Sequence, residues 1–153
     1  MTFMTSVASA TITTGIVQAL EAFKAAESLK LQIYPGRPAS LFPPTAFVDA
    51  RHDVIELNFA GANAYHAMEH NSIVEVVVVH GLFDTAEAVE QRDAFVDAFN
   101  NYLRANRMVG LAGGNSVLER VRLDDIPNYV PDWIERPSTY FATLYRLEVS
   151  ITD

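Results

Sequence analysis

Ser72-Ile73-Val74-Glu75-Val76-Val77-Val78-Val79-His80 is the stretch that decides the fold. Five of its nine residues are Val and one is Ile. β-Branched side chains suit a pleated surface and are stiff in a helix. A bilayer span takes about 20 apolar residues, so this run is too short to be one. Alternation fails from Val76 to Val79, so both faces are expected to meet apolar neighbours, as in a central strand covered on two sides. Such a strand needs paired strands on its edges and helices or a partner subunit on its faces.

Outward from that strand, the elements follow in order. A Thr/Ser-rich, uncharged segment 1–12 reads as a flexible N-terminal arm. Thr13 or Thr14 is placed to cap a helix over Gly15–Leu31, with Ile16, Leu20 and Phe23 on one face. The next segment, 33–44, holds four prolines and a glycine, which exclude helix and central strand. Its Tyr34, Leu41 and Phe42 either dock on the chain's own core or serve a neighbouring subunit. Thr45–Ala50 and Val54–Phe59 read as a hairpin closed by Arg51-His52-Asp53. Ala60–Asn71 reads as a loop leading into the central strand.

Asp84 or Thr85 caps a second helix that runs to Arg104. Its apolar residues include Val89, Phe95, Val96, Phe99, Tyr102 and Leu103, with early Glu and late Arg matching the helix dipole. Met108–Ser116 is a glycine-rich turn. Val117–Leu123 is a strand, and Asp124–Ser138, with three prolines and the only Trp, is irregular. Thr139–Ile151 is a closing strand whose thirteen residues reach about 43 Å, beyond a typical strand. The order α, β, β, β, α, β, β implies an α+β domain over 1–153: a mostly antiparallel sheet of about five strands flanked by two main helices.

The chain has 153 residues, 50% of them hydrophobic, and a formal charge of −8. Mean hydropathy is +0.10 and the pI is about 4.9. The apolar excess calls for burial beyond one core, and a subunit interface is a natural place. The acidic balance excludes a protein that grips phosphate with surplus Lys and Arg. Without cysteine there are no disulfides or thiolate sites, which fits a reducing cytoplasm. No Lys or Arg precedes Lys24, so no signal peptide is expected, and no membrane partner.

Three patterns invite chemistry. His66-Ala-Met-Glu-His70 has the H-x-x-E-H spacing of inverted zinc proteases, which requires both histidines on one helical face. The solvated-loop reading is favoured over it. Asp124-Asp125, near Asp132 and Glu135, resembles paired carboxylates, but an acidic loop is the commoner meaning. Gly110-Leu-Ala-Gly-Gly-Asn lacks the Lys and spacing of a phosphate loop. No catalytic residue, cofactor or metal site is assigned. Arg104, Arg107, Arg120 and Arg122 form a local basic cluster; a solvated helix end and strand exterior is the favoured reading, and complementing Asp124, Asp125 and Asp132 of another subunit is the alternative.

Several textures together resemble a known family. They are the N-terminal amphipathic helix, the Ile33-Tyr34-Pro35-Gly36 turn, the Pro43-Pro44-Thr45-Ala46-Phe47-Val48 entry, the Val-rich strand, the long second helix, the glycine-rich turn, and Asn128-Tyr129 before a long closing strand. This arrangement is similar to the tail terminator (tail completion) proteins of long-tailed bacteriophages. The resemblance implies a structural virion protein, not an enzyme, at the tail–neck junction. It implies a ring, usually a hexamer, that caps the tail tube, stops its polymerisation and docks the neck or head-completion protein, while DNA passes through the lumen without being read. The candidate contact residues are Tyr34, Arg37, Leu41 and Phe42 in the proline-rich segment, with Arg120, Arg122, Asp124, Asp125, Tyr129 and Trp133. Another head–tail joint subunit (head closure or tail tube) and a small-molecule-binding or enzymatic α+β domain are the alternatives.

Overall fold

The computed structural model describes residues 4–58, 67–106 and 115–152. Seven elements follow one another: α1 (Met4–Glu27), β1 (Gln32–Tyr34), β2 (Thr45–Asn58), β3 (Ala67–Leu82), α2 (Ala86–Asn106), β4 (Asn115–Tyr129) and β5 (Tyr140–Thr152). One five-stranded sheet has the order β1-β2-β3-β5-β4. Among the described residues only the short β1–β2 pair is parallel; the others are antiparallel. The fold is α+β.

The Val-rich run lies on the central strand, as its composition implies. Val74, Val76 and Val78 face the helices and share a core with Phe23 of α1, Phe95 and Phe99 of α2, and Tyr145, Leu147 and Val149 of β5. Phe23 packs edge-on against Phe95, with ring centroids 5.4 Å apart. Val77 and Val79 face the other side, in a smaller core with Leu41, Phe47 and Ala142. The broken alternation thus has a concrete cause. One face lies under helices and the other under the irregular segments that carry Leu41 and Trp133.

Helix α1 begins at Met4, so the segment expected as an arm is helical from there, and Ile12 is fully buried in the main core. The helix also stops earlier than expected, at Glu27. Ser28 adopts a left-handed conformation (φ 53°), the Ser28 N–H reaches the Ala25 carbonyl, and the Leu29 N–H reaches that of Lys24. This paired closure is a Schellman cap. Helix α2 starts where its cap was expected. Thr85 Oγ1 accepts from the Ala88 N–H at 3.2 Å. Of its apolar residues, Phe95, Val96 and Phe99 are buried, whereas Val89 is exposed.

The expected hairpin over Thr45–Phe59 is instead one long strand, β2, with a bulge at Asp49 between Val48 and Ala50. Arg51-His52-Asp53 does not turn, because the Arg51 and Asp53 side chains find partners in the extended chain. Arg51 and Asp53 point to the helix side, where Arg51 Nη1 donates to Thr13 Oγ1 at 2.8 Å and Arg51 Nε lies 3.2 Å from Asp53 Oδ2. Asp53 also accepts from Ser72 Oγ. The loop expected over 60–71 is strand from Ala67 onward; residues 59–66 lie outside the described residues. So does most of the glycine-rich turn, at 107–114. The charged segment after Leu123 is not irregular until Tyr129. β4 carries Asp124, Asp125 and Pro127, and the edge position tolerates the proline because no ladder bond is required on that side.

Candidate interaction surface

The two faces of the sheet differ sharply. α1 packs against β1 and β2, and α2 against β3 and β5. The opposite face carries the small core at one end and charge along the rest. There Arg146 Nη2 donates to Glu75 Oε1 at 3.0 Å, Arg120 lies 3.5 Å from Glu148, and Arg122 lies 3.7 Å from Asp124. Exposed pairs of this kind contribute roughly 0–1 kcal/mol each. Fold stability alone does not explain a face built this way.

The ten contact residues expected from sequence divide into two groups and two residues, Asp125 and Phe42, that stand alone. Tyr34, Leu41, Tyr129 and Trp133 come together in the small core, although 95 residues separate Pro38 from the Trp133 that bonds to it. Trp133 Nε1 donates to the Pro38 carbonyl at 2.8 Å, and its ring lies edge-on to Phe47 with centroids 5.5 Å apart. Arg37 sits over the indole with its guanidinium carbon 4.6 Å from the ring centre. Arg37 also pairs with Asp49 at 2.7 Å, a bond that raises its already high pKa. Within this group the structure favours docking on the chain's own core: Leu41 is buried and Trp133 half-buried.

The second group, Arg120, Arg122 and Asp124, lies on the open face of the edge strand β4. Asp125 does not join it. Consecutive strand residues point to opposite faces, so Asp125 turns to the helix side. There it binds Arg92 through both oxygens at 3.0 Å and accepts from Thr143 Oγ1. Asp124 and Asp125 therefore do not form a dyad. Phe42 stands apart, 65% exposed.

The same alternation removes the zinc motif. Glu69 and His70 are neighbours on β3 and face opposite ways; His66 lies outside the described residues. His70 and Ser72 are buried and cluster with the more exposed Asp53. Both Asp53 Oδ1, at 3.5 Å, and Ser72 Oγ, at 3.4 Å, approach its Nε2, while Nδ1 is buried without a partner. A nucleophile relay needs the acid and the hydroxyl on different ring nitrogens. This cluster lacks that arrangement.

The sequence did not point to most of the exposed apolar residues. Among the described residues the large exposed ones are Phe42, Val54, Ile55, Leu82, Phe83, Val89 and Val130. They fall at the two ends of the long strands. Val54 and Ile55 lie on the distal part of β2, level with Asn71 and His70 of β3. Leu82, Phe83 and Val130 lie at the other end, where Leu82 pairs with Tyr140 and Tyr140 with Tyr129. Phe42 is tied to the start of β2 by Thr45 Oγ1 donating to its carbonyl. Val89 is in the first turn of α2, just beyond that end. The available sequence signal was apolar pairs, Val54-Ile55 and Leu82-Phe83, beside charged residues.

Among the described residues, both edges of the sheet are open along much of their length. β1 covers β2 only at Thr45–Phe47, so the rest of β2 has no strand on its outer side among the described residues. β4 forms the other edge. Beside it, on the helix side, lies a cleft of about 450 Å³ lined by Asn100, Leu103, Arg104, Leu118, Val121 and Leu123. A second cleft, about 380 Å³, opens between the end of α1 and α2 next to His80 and Phe95. Burial lowers the pKa of His80 to about 4, and the imidazole stays neutral against Thr143 Oγ1 at 2.8 Å.

Comparison of the chain with protein-family models and with curated proteins finds no match.

Proposed function

We propose that this chain is a structural protein of a long-tailed bacteriophage, a tail terminator whose copies close into a ring at the tail–neck junction. The observation that carries the reading is the placement of exposed apolar side chains at opposite ends of four long strands. Exposed apolar side chains grouped at two separate places suit contact with partners better than contact with water. A ring subunit uses one set against its neighbours and the other against the structures above or below it. The open edges of β2 and β4 agree, because long unpaired strands are protected in natural proteins unless something pairs with them.

The net charge of −8 suits a ring through which DNA passes without adhering, since a negative wall repels the phosphate backbone. Partners under this reading are other copies of the chain, the tail tube and the neck. The head-tail resemblance drawn from sequence supplies the identity of those partners; the geometry supplies only contact surfaces of the right kind.

Light scattering combined with negative-stain imaging tests the proposal. The expected result is a closed ring, about 100 kDa if six chains of 16.9 kDa assemble. A solitary chain at all concentrations overturns it. A long open polymer transfers the assignment to a tube subunit.

A further inference from the structure

Building on the ring reading, we propose the interface itself: the outer edge of β2 in one copy pairs antiparallel with the outer edge of β4 in the next. Ile55 faces Val121 across the junction and Glu56 faces Arg120. Strand direction allows it directly. β2, β3, β5 and β4 alternate in direction across the sheet. Copies placed side by side without inversion therefore set β4 against an oppositely directed β2. Such head-to-tail contact is the kind that closes into rings.

The bulges fix the usable lengths. β2 is regular after Asp49, and β4 is regular from Arg120 to Ile126. Within those lengths the offset must be even, because a one-residue slip exchanges the two faces of a strand. Arg51, Val74, Leu147 and Val121 lie on one line across the sheet. Pairing Ile55 with Val121 moves the next copy four residues along β2 from that line. On the open face this register sets Glu56 against Arg120, His52 against Asp124, and Val54 against the aliphatic stem of Arg122. Offsets of zero or two bring no acidic residue of β2 opposite Arg120 or Arg122. Offset six gives Glu56–Arg122 but sets Val54 against Asp124.

On the helix side the same register brings Ile55, 47% exposed in the single chain, to the cleft beside β4. Leu103, Leu118, Val121 and Leu123 offer it apolar walls. A protruding apolar side chain and a cleft with apolar walls and a charged rim, neither filled by the other described residues, lie on the same side of the extended sheet. The offset has a further consequence. Four residues per four long strands is a ratio of one, the ratio of the eight-stranded, shear-eight barrel whose strands tilt about 36°. The register is thus compatible with a closed sheet.

The chain has no cysteine, so introduced thiols report cleanly. Val54→Cys and Arg122→Cys in one chain cannot bridge internally, because β3 and β5 separate the two edges by about 14 Å. Directly opposed Cβ atoms of a paired strand lie about 5 Å apart, so mild oxidation should link copies into a covalent ladder. Glu56→Arg or Arg120→Glu alone should weaken assembly about tenfold, and the two together should restore it. If the wild-type protein assembles, but no ladder forms and the charge reversals change nothing, this interface is wrong while the ring reading stands. A wild-type chain that never assembles overturns both.

Discussion

The indole N–H of Trp133 donates to the Pro38 carbonyl at 2.8 Å, joining the two proline-rich segments across the sheet face. Arg37 covers the ring and Phe47 meets it edge-on, so the indole is held on three sides. Trp133→Ala should therefore destabilise the fold by about 3 kcal/mol, through lost packing and an unpaired carbonyl. Chemical denaturation checks this. Trp133→Asp should unfold the small core, not just impair docking; circular dichroism reads this, because the substitution itself removes the chain's one Trp and its fluorescence.

His80 makes stability pH-dependent. Its folded pKa, about 4, is depressed below the ordinary value of 6.5 because burial disfavours the imidazolium. The unfolded state then binds more protons between those values, so stability is full above pH 6.5 and falls as pH drops toward 4. The loss approaches about 3 kcal/mol at the lower end, at 1.36 kcal/mol per pKa unit. Urea midpoints measured from pH 7.5 to 4.5 should show the decline, and His80→Leu should flatten it in the upper part of that range, above where carboxylates titrate.

Two backbone sites have opposite expected effects. Ser28 holds a left-handed conformation at the end of α1, which costs a residue with a Cβ about 1 kcal/mol relative to glycine. Ser28→Gly should raise stability by up to about 1 kcal/mol. At Gly81 a Cβ would come within 3.0 Å of the Ala88 Cβ and 3.2 Å of its Cα. Those atoms belong to a helix and cannot swing aside. Gly81→Ala should push α2 from β3 and lower stability by about 1–3 kcal/mol. Thermal melts of the two variants check both signs.

Much of the fold was legible because its strongest signals are local. The Val76–Val79 run needs two apolar covers, and it has them; Thr85 caps α2 through its own hydroxyl. What was not legible depends on distant partners. Arg51-His52-Asp53 reads as a turn until Thr13 and Ser72, from other elements, satisfy its side chains within a strand. Asp124-Asp125 reads as an acidic loop until β5 and Arg92 hold the two residues on opposite faces. Trp133 reads as a free contact because nothing near it in sequence announces Pro38 or Phe47. The candidate surface suffered most, since an apolar residue on an edge strand looks the same in sequence whether or not its own chain covers it.

Phe42 separates contact from folding. It is 65% exposed, and its carbonyl accepts from Thr45 Oγ1 at 2.7 Å. Phe42→Asp keeps that carbonyl and removes no core packing, so its stability should stay within about 0.5 kcal/mol of wild type. Under the proposed function the residue lies at the end of the strands shared with Leu82, Phe83 and Val130, away from the β2–β4 edges. Ring formation should then survive, while attachment of the ring to purified tail tubes should fall by at least about tenfold, since a charge would sit in an apolar contact. Co-sedimentation of ring with tubes reads the attachment, and light scattering reads the ring. Unchanged attachment would remove this end of the molecule from the docking surface.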